Sequence, residues 1–218
     1  MAQFIEFLSS DALSSEPVSL DEVKTQARID LDLTDDDLFI QTVIIPGARQ
    51  QAETRTGSAI RAARFRQVFS SFPHGHLPLT LALGHVLSLE SITYVVPEGV
   101  GVSAPRAHAG ARARQTMDAA DLELVTIDRE SVVSLARGHW PHVQWGARAV
   151  EVGFTAGLDP QAFADRYPSV KAWILMACAW GYSQREMFLL QTRGAGYQEL
   201  PVDYMSALLE PLKLPPRW

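Results

Sequence analysis

Apolar residues recur at helical spacing up to about residue 57, alternate with polar ones in runs between Arg61 and Thr155, and return to helical spacing after Gly157. A chain that changes period twice folds as helices carrying an inserted sheet. The predicted class is α+β: a small α-helical bundle, two N-terminal helices plus a long C-terminal helix, with an inserted antiparallel β-sheet and an extended C-terminal tail. At 218 residues the chain can bury a full core as one domain or two small ones, and a single domain over 1–218 is expected. The expected parts are N-terminal helices over 17–57, a β insertion over 61–156 with a projecting loop at 97–115, a helix over 167–190, and a short helix and tail over 201–218.

Ser19 and Glu22 stand three apart, the spacing of a capping box, so the first helix starts there. Leu20, Val23 and Ala27 form its apolar stripe, with Lys24, Gln26 and Arg28 on the wet side. A second helix is expected from about Asp35 to Thr56. Thr34 is placed to cap it, and Asp35, Asp36 and Asp37 suit the positive end of its dipole. Its inward residues should be Leu38, Val43, Ile44, Ala48 and Ala52, with Gly57 as the stop. Pro46 costs a straight helix about 3 kcal/mol, which predicts a kink or restart near 42–46. The aspartates do not make a calcium loop, because the central Gly and closing Glu are missing.

Expected strands are 64–70, 77–83, 88–96, 122–128, 131–136 and 149–155. Residues 97–115 (PEGVGVSAPRAHAGARARQ) have no period and read as a loop. Pro168 opens a helix with Val170, Trp173, Ile174, Ala177 and Gly181 on one stripe, and its other face, with Trp180, is nearly as apolar. Such a helix is central to a bundle or shared with another subunit. Pro211, Pro215 and Pro216 keep the tail extended, leaving Leu212, Leu214 and Trp218 exposed. Deleting 211–218 should then leave the bundle folded.

Nineteen Lys and Arg against 25 Asp and Glu give a net charge of -6, the wrong sign for gripping nucleic acid through its phosphates. The charge is blocked: residues 1–60 carry 11 acids and 4 bases, while 61–114 carry 2 acids and 6 bases. Arg106, Arg112 and Arg114 sit in the loop without interleaved aromatics, a weak nucleic-acid pattern that better suits contact with an acidic protein surface. One cysteine, Cys178, excludes an intrachain disulfide and a four-thiolate zinc site. No stretch is long and apolar enough for a membrane span, and the N-terminus has no secretory pattern, so an intracellular protein is expected.

No catalytic residue and no metal site is expected. His74, His76 and His85 lack a third ligand nearby and read as turn histidines, as do His139 and His142. The chain has no nucleophile elbow, no phosphate-binding Walker loop and no His-Glu-x-x-His pattern. Gly99-Val-Gly101 is isolated, and Cys178 in an apolar helix is a packed thiol. A metal-dependent hydrolase would rest on the histidines alone. No cofactor is expected.

The order of the pieces carries a resemblance. Pro17-Val18-Ser19-Leu20-Asp21-Glu22-Val23-Lys24, then Asp35-Asp36-Asp37-Leu38, then Ile45-Pro46-Gly47-Ala48-Arg49 and Glu53-Thr54-Arg55-Thr56-Gly57 resemble the N-terminal signature of the head-tail connector (adaptor, head-completion) proteins of long-tailed bacteriophages and prophages. Leu87–Tyr94, Val150–Leu158, Tyr167–Lys171 and Ala179–Glu186 continue that series to about residue 212, while residues 1–16 lie outside it.

The resemblance implies a virion protein of the neck, assembled in the host cytoplasm, that forms a homo-oligomeric, dodecameric ring between the portal and tail completion or terminator proteins. Double-stranded DNA would pass through its bore without tight binding. Together with the resemblance, the apolar last helix and the tail make Pro211, Leu212, Leu214, Pro215, Trp218, Trp173 and Trp180 candidates for portal or subunit contacts, the acidic block makes Asp35, Asp36 and Asp37 candidates to face the channel, and Arg106, Arg112 and Arg114 are candidate contacts of a loop that departs from the family pattern. The alternative is a tail-side completion or terminator protein that binds tail-tube subunits; such a protein would be mostly β.

Overall fold

The structure, a computed structural model, describes residues 3–10, 15–97, 113–127, 129–184 and 202–215. The chain divides into two compact units, where a single domain was expected. One comprises Met1–Ala12 with Ala62–Gly157, and the other Leu13–Arg61 with Leu158–Trp218.

The β unit holds two antiparallel sheets rather than the one expected. Its strands are β1 (Gln3–Ser10), β2 (Ala63–Phe69), β3 (Leu79–Thr80), β4 (Val86–Val95), β5 (Arg114–Thr116), β6 (Leu122–Ile127), β7 (Glu130–Leu135) and β8 (Val150–Ala156). The larger sheet has the order β1-β2-β8-β4-β5 and the smaller β3-β7-β6. On the inner face of the larger sheet Phe7 meets Phe65 edge-on and Phe65 stacks on Phe154, at ring separations of 5.9 and 6.0 Å. Val150, Val152 and Ile92 are fully buried, and Gln67, also buried, accepts a hydrogen bond from the Ala82 amide next to β3, 2.8 Å long. The run expected as a strand over 77–83 pairs only at Leu79 and Thr80. Register shifts between Val86 and Ser88 and between Leu89 and Ser91 break the alternation of β4.

Residues 1–16, outside the expected pattern, supply β1, an edge strand paired with β2. Their signal was Phe4-Ile5-Glu6-Phe7-Leu8, apolar on both faces and therefore without alternation.

The helical unit contains α1 (Leu20–Ala27), α2 (Asp37–Phe39), a π turn (Ile40–Ile44), α3 (Ile45–Thr56), α4 (Pro160–Arg166), α5 (Pro168–Ser183), α6 (Val202–Leu209) and a 3-10 turn (Glu210–Leu212). The predicted capping box is present: the Glu22 amide donates to Ser19 Oγ at 3.2 Å and the Ser19 amide to Glu22 Oε2 at 2.9 Å. Asp36, not Thr34, is the residue before α2, and it makes no side-chain cap.

The break expected near Pro46 is a π turn, and Pro46 directly follows it at the start of α3, where the extra residue of the turn accommodates the proline within a continuous helix. The extra residue shifts the helix phase. Ile40 and Ile45, five apart, both point inward with Ala48 and Ala52, whereas Leu38 is 73% exposed and Val43 also lies outside, against expectation.

One core joins α1, α3, α5 and the tail: Val23, Ile40, Ile45, Ala52, Phe163, Val170, Trp173, Ile174, Cys178, Leu209 and Leu212. The tail is therefore not a free extended arm. Leu212 is completely buried, the Ser58 hydroxyl donates to its carbonyl at 2.9 Å, and the Leu214 amide donates to the Thr56 carbonyl at 2.8 Å. Gly57 has φ of +72°, and a Cβ there would meet Leu214 Cδ1 at 3.3 Å. A leucine side chain outweighs the two neighbouring prolines, because the first proline fits a 3-10 turn and the second follows the docked segment.

Candidate functional site

In the helical unit the sharpest local arrangement is the acidic turn before α2. Lys24, expected on the wet side of α1, is only 2% exposed. Its Nζ donates to the carbonyls of Leu31 and Leu33, at 3.2 and 2.7 Å, and lies 2.5 Å from Asp37 Oδ1. Its aliphatic stem is buried, two of its donors reach carbonyl oxygens and the Asp37 carboxylate balances its charge, which makes burial of the ammonium tolerable. Asp36 Oδ2 accepts from the Tyr182 hydroxyl at 2.6 Å, near the end of α5.

Of the three aspartates expected to face a channel, Asp36 and Asp37 are thus engaged inside their own unit, and Asp35 is exposed. Other members of the acidic block are also spent internally. Glu16 accepts from Arg49 Nε at 2.8 Å and Arg61 Nη1 at 3.0 Å. Glu53 accepts from Arg49 Nη1 at 2.6 Å and from the amides of Ile60 and Arg61. Burial opposes the Glu22 carboxylate, but hydrogen bonds from Lys171 Nζ, at 2.6 Å, and from Ser19 hold its pKa below the usual 4.5. Asp30, Asp32 and Asp35 are exposed within six residues of one another, among exposed Leu31, Leu33 and Leu38.

The contact candidates divide. Trp173 is buried, with the Arg55 guanidinium 5.4 Å over its ring, and shares the core with Leu212. Both are core residues of the protomer, which corrects the expectation that Leu212 is exposed and leaves Trp173 little surface for the contact expected of it. Trp180 is 66% exposed, Pro211 and Pro215 lie at the surface, and Leu214 is half-buried. Trp218, Arg106, Arg112 and residues 185–190 of the expected last helix lie outside the described residues. Cys178 is buried on α5, and burial, with the Glu16 charge adding to it, pushes its thiol up to about 12.

In the β unit the outer face of the larger sheet carries a row of charges. Glu6 on β1 lies 3.5 Å from Arg66 on β2, Arg66 lies 3.9 Å from Glu151 on β8, and Glu151 lies 2.8 Å from Arg114 on β5. Arg148 flanks Glu151 at 3.1 Å. In a second cluster Arg64 grips Glu90 through two bonds of 2.8 and 2.5 Å, and this pairing, against partial burial, lowers the Glu90 pKa. Sequence reasoning missed this row, because its acidic end stands on the unrecognised β1. Phe4, Glu6, Val68, Ala147 and Arg148 line a depression of about 300 Å³ beside that strand.

Among the described residues no group of three or more His, Cys, Asp or Glu side chains is placed to hold a metal ion. His76 and His139 meet edge-on at 4.4 Å between ring centres. Trp140 donates from Nε1 to the Leu77 carbonyl at 2.9 Å and stacks on Phe72, so the histidine-bearing segments are pinned by packing. No described helix is long and apolar enough to cross a membrane.

These two units define a mixed α/β architecture that solved particle components share. A chain in the neck of an empty GTA particle, computed with C6 symmetry, matches with a TM-score of 0.68 at 18% identity, over 99% of this chain and 97% of that one. A chain in the virion of a native gene transfer agent (GTA) particle matches with a TM-score of 0.67 at 18% identity, over 98% and 97%. A third, in the neck of a native GTA particle computed with C12 symmetry, gives 0.54 at 18% identity, over 94% and 97%. No protein-family model and no curated protein matches the sequence. The fold is that of chains found in gene transfer agent necks and virions, matched across both units.

Proposed function

We propose that this chain is a structural component of the neck of a phage-like particle, a connector that forms a ring between the capsid portal and the tail. The observation that carries this reading is the end-to-end likeness to a chain of a symmetric neck, 99% of this chain against 97% of that one. The ordered motif series from Pro17 to about residue 212 points the same way. In this reading the protein acts by holding partners rather than by chemistry, and DNA passes through the ring without tight binding.

An acidic or neutral wall suits that passage, since clustered arginines would retain the phosphates. Asp30, Asp32 and Asp35 are the candidates for the wall, and Trp180 and Leu38 for contacts with other subunits or the portal. A tail-side completion protein, expected to be mostly β, fits less well with the six helices α1–α6.

Electron cryomicroscopy of the particle tests the proposal. Density for this chain in a ring at the portal-tail junction is the expected result. Particles that carry the chain elsewhere, or not at all, would sink it.

A further inference from the structure

The larger sheet has two open edges, and they are unlike. Among the described residues no strand pairs with the outer side of β1 or of β5. An open edge with exposed apolar side chains invites another strand. On β1, Phe4 is 65% and Phe7 58% exposed, with Ile5 and Leu8 also at the surface. These four lie on both faces, the pattern of a strand covered on both sides.

The charge row supplies the partner. It runs Glu6, Arg66, Glu151, Arg114 across the sheet and ends in an acid at one edge and a base at the other. Glu6 is the only charged residue of β1 and Arg114 the only one of β5. Two β1 edges joined about a two-fold axis would bring Glu6 towards its own copy, which is unfavourable. A β1 edge against a β5 edge continues the alternation.

We infer that β1 of one copy pairs with β5 of the next, so that copies of this chain join head to tail through one continuous sheet. Such heterologous contacts are what a closed ring requires, and the inference rests on the ring reading above. Because every neighbouring pair in the sheet is antiparallel, β1 and β5 run the same way and the new pair is parallel. Placing Glu6 beside Arg114 of the next copy fixes the register. The bulge between Phe7 and Ser9 puts Ser9 two ladder steps beyond Glu6, opposite Thr116 of that copy, which lies two beyond Arg114.

The test uses particles assembled from a mixture of Ser9→Cys and Thr116→Cys chains, treated with a short bis-maleimide; buried Cys178 stays unreactive. The expected product is a dimer linking one variant to the other, and the double variant should give a ladder of higher multimers. Circular dichroism and melting of each variant confirm that the fold is kept. A ring visible in micrographs without the mixed dimer, or with Ser9→Cys chains linked to each other, overturns the inference. Micrographs of wild-type particles with no ring overturn the connector reading itself.

Discussion

Lys24 Nζ lies 2.5 Å from Asp37 Oδ1, and this buried contact anchors the acidic turn to α1. Removing one partner of such a pair leaves the other without compensation. Lys24→Met, which keeps the stem, should destabilise the protein by about 3 kcal/mol. Asp37→Asn, which removes the charge pair but keeps the two carbonyl bonds to the ammonium, should cost less, about 1–2 kcal/mol. Urea denaturation of the two variants checks the order; equal effects would mean that the charge pair, lost in both, matters more than the carbonyl bonds to Leu31 and Leu33, lost only in Lys24→Met.

Leu212 sits in the same core as Trp173. Leu212→Ala should cost about 2–5 kcal/mol, the range for a buried leucine, and deletion of 211–218 at least as much. Differential scanning calorimetry reads both. A truncated chain that melts like the full one would return the tail to the role of a free arm.

Trp173→Ala should cost about 3–5 kcal/mol. Among the described residues its buried indole Nε1 has no hydrogen-bond partner, so Trp173→Phe removes an unsatisfied donor and should cost clearly less. Chemical denaturation followed by far-UV circular dichroism separates the two; equal losses would argue that the indole N–H has a bound partner in solution.

Cys178, with its thiol pushed up to about 12, should stay unmodified by a thiol reagent at pH 8 in the folded protein and react at once in denaturant. Absorbance of the released chromophore measures this. Fast reaction in native buffer would show that α5 opens.

Glu22 has a folded pKa below its usual 4.5, so its contribution is fully present above that value and is lost as pH falls from about 4.5 through the folded value. Glu22→Gln should flatten the dependence of stability on pH in this acidic window and leave the slope near pH 7 unchanged. Melting temperatures across the window test it; identical acid slopes would assign the loss to other carboxylates.

The helix-sheet-helix order, the capping box at Ser19 and the strands β2, β4, β6, β7 and β8 were legible because local pattern alone specifies them, whereas β5 fell in the segment expected as a loop. What escaped depends on partners distant in sequence. Lys24 looks like a surface lysine until Leu31, Leu33 and Asp37 fold back onto it. Leu212 looks like part of a proline-rich tail until Ser58 and Thr56 receive it. β1 lacks alternation because it is apolar on both faces, so the rule that finds half-buried strands passes over it. The same omission hid the charge row, whose acidic end is Glu6.

The π turn at Ile40–Ile44 means that this helix carries one residue more than its inward face needs. Deleting a single residue between Ile40 and Ile45 would turn the five-residue interval into an ordinary four-residue one, with both isoleucines still facing the core. Elsewhere in a helix a one-residue deletion rotates everything beyond it by about 100°, which follows from 3.6 residues per turn. This segment is therefore a built-in slack point, where related chains can differ in length by one residue without losing their core.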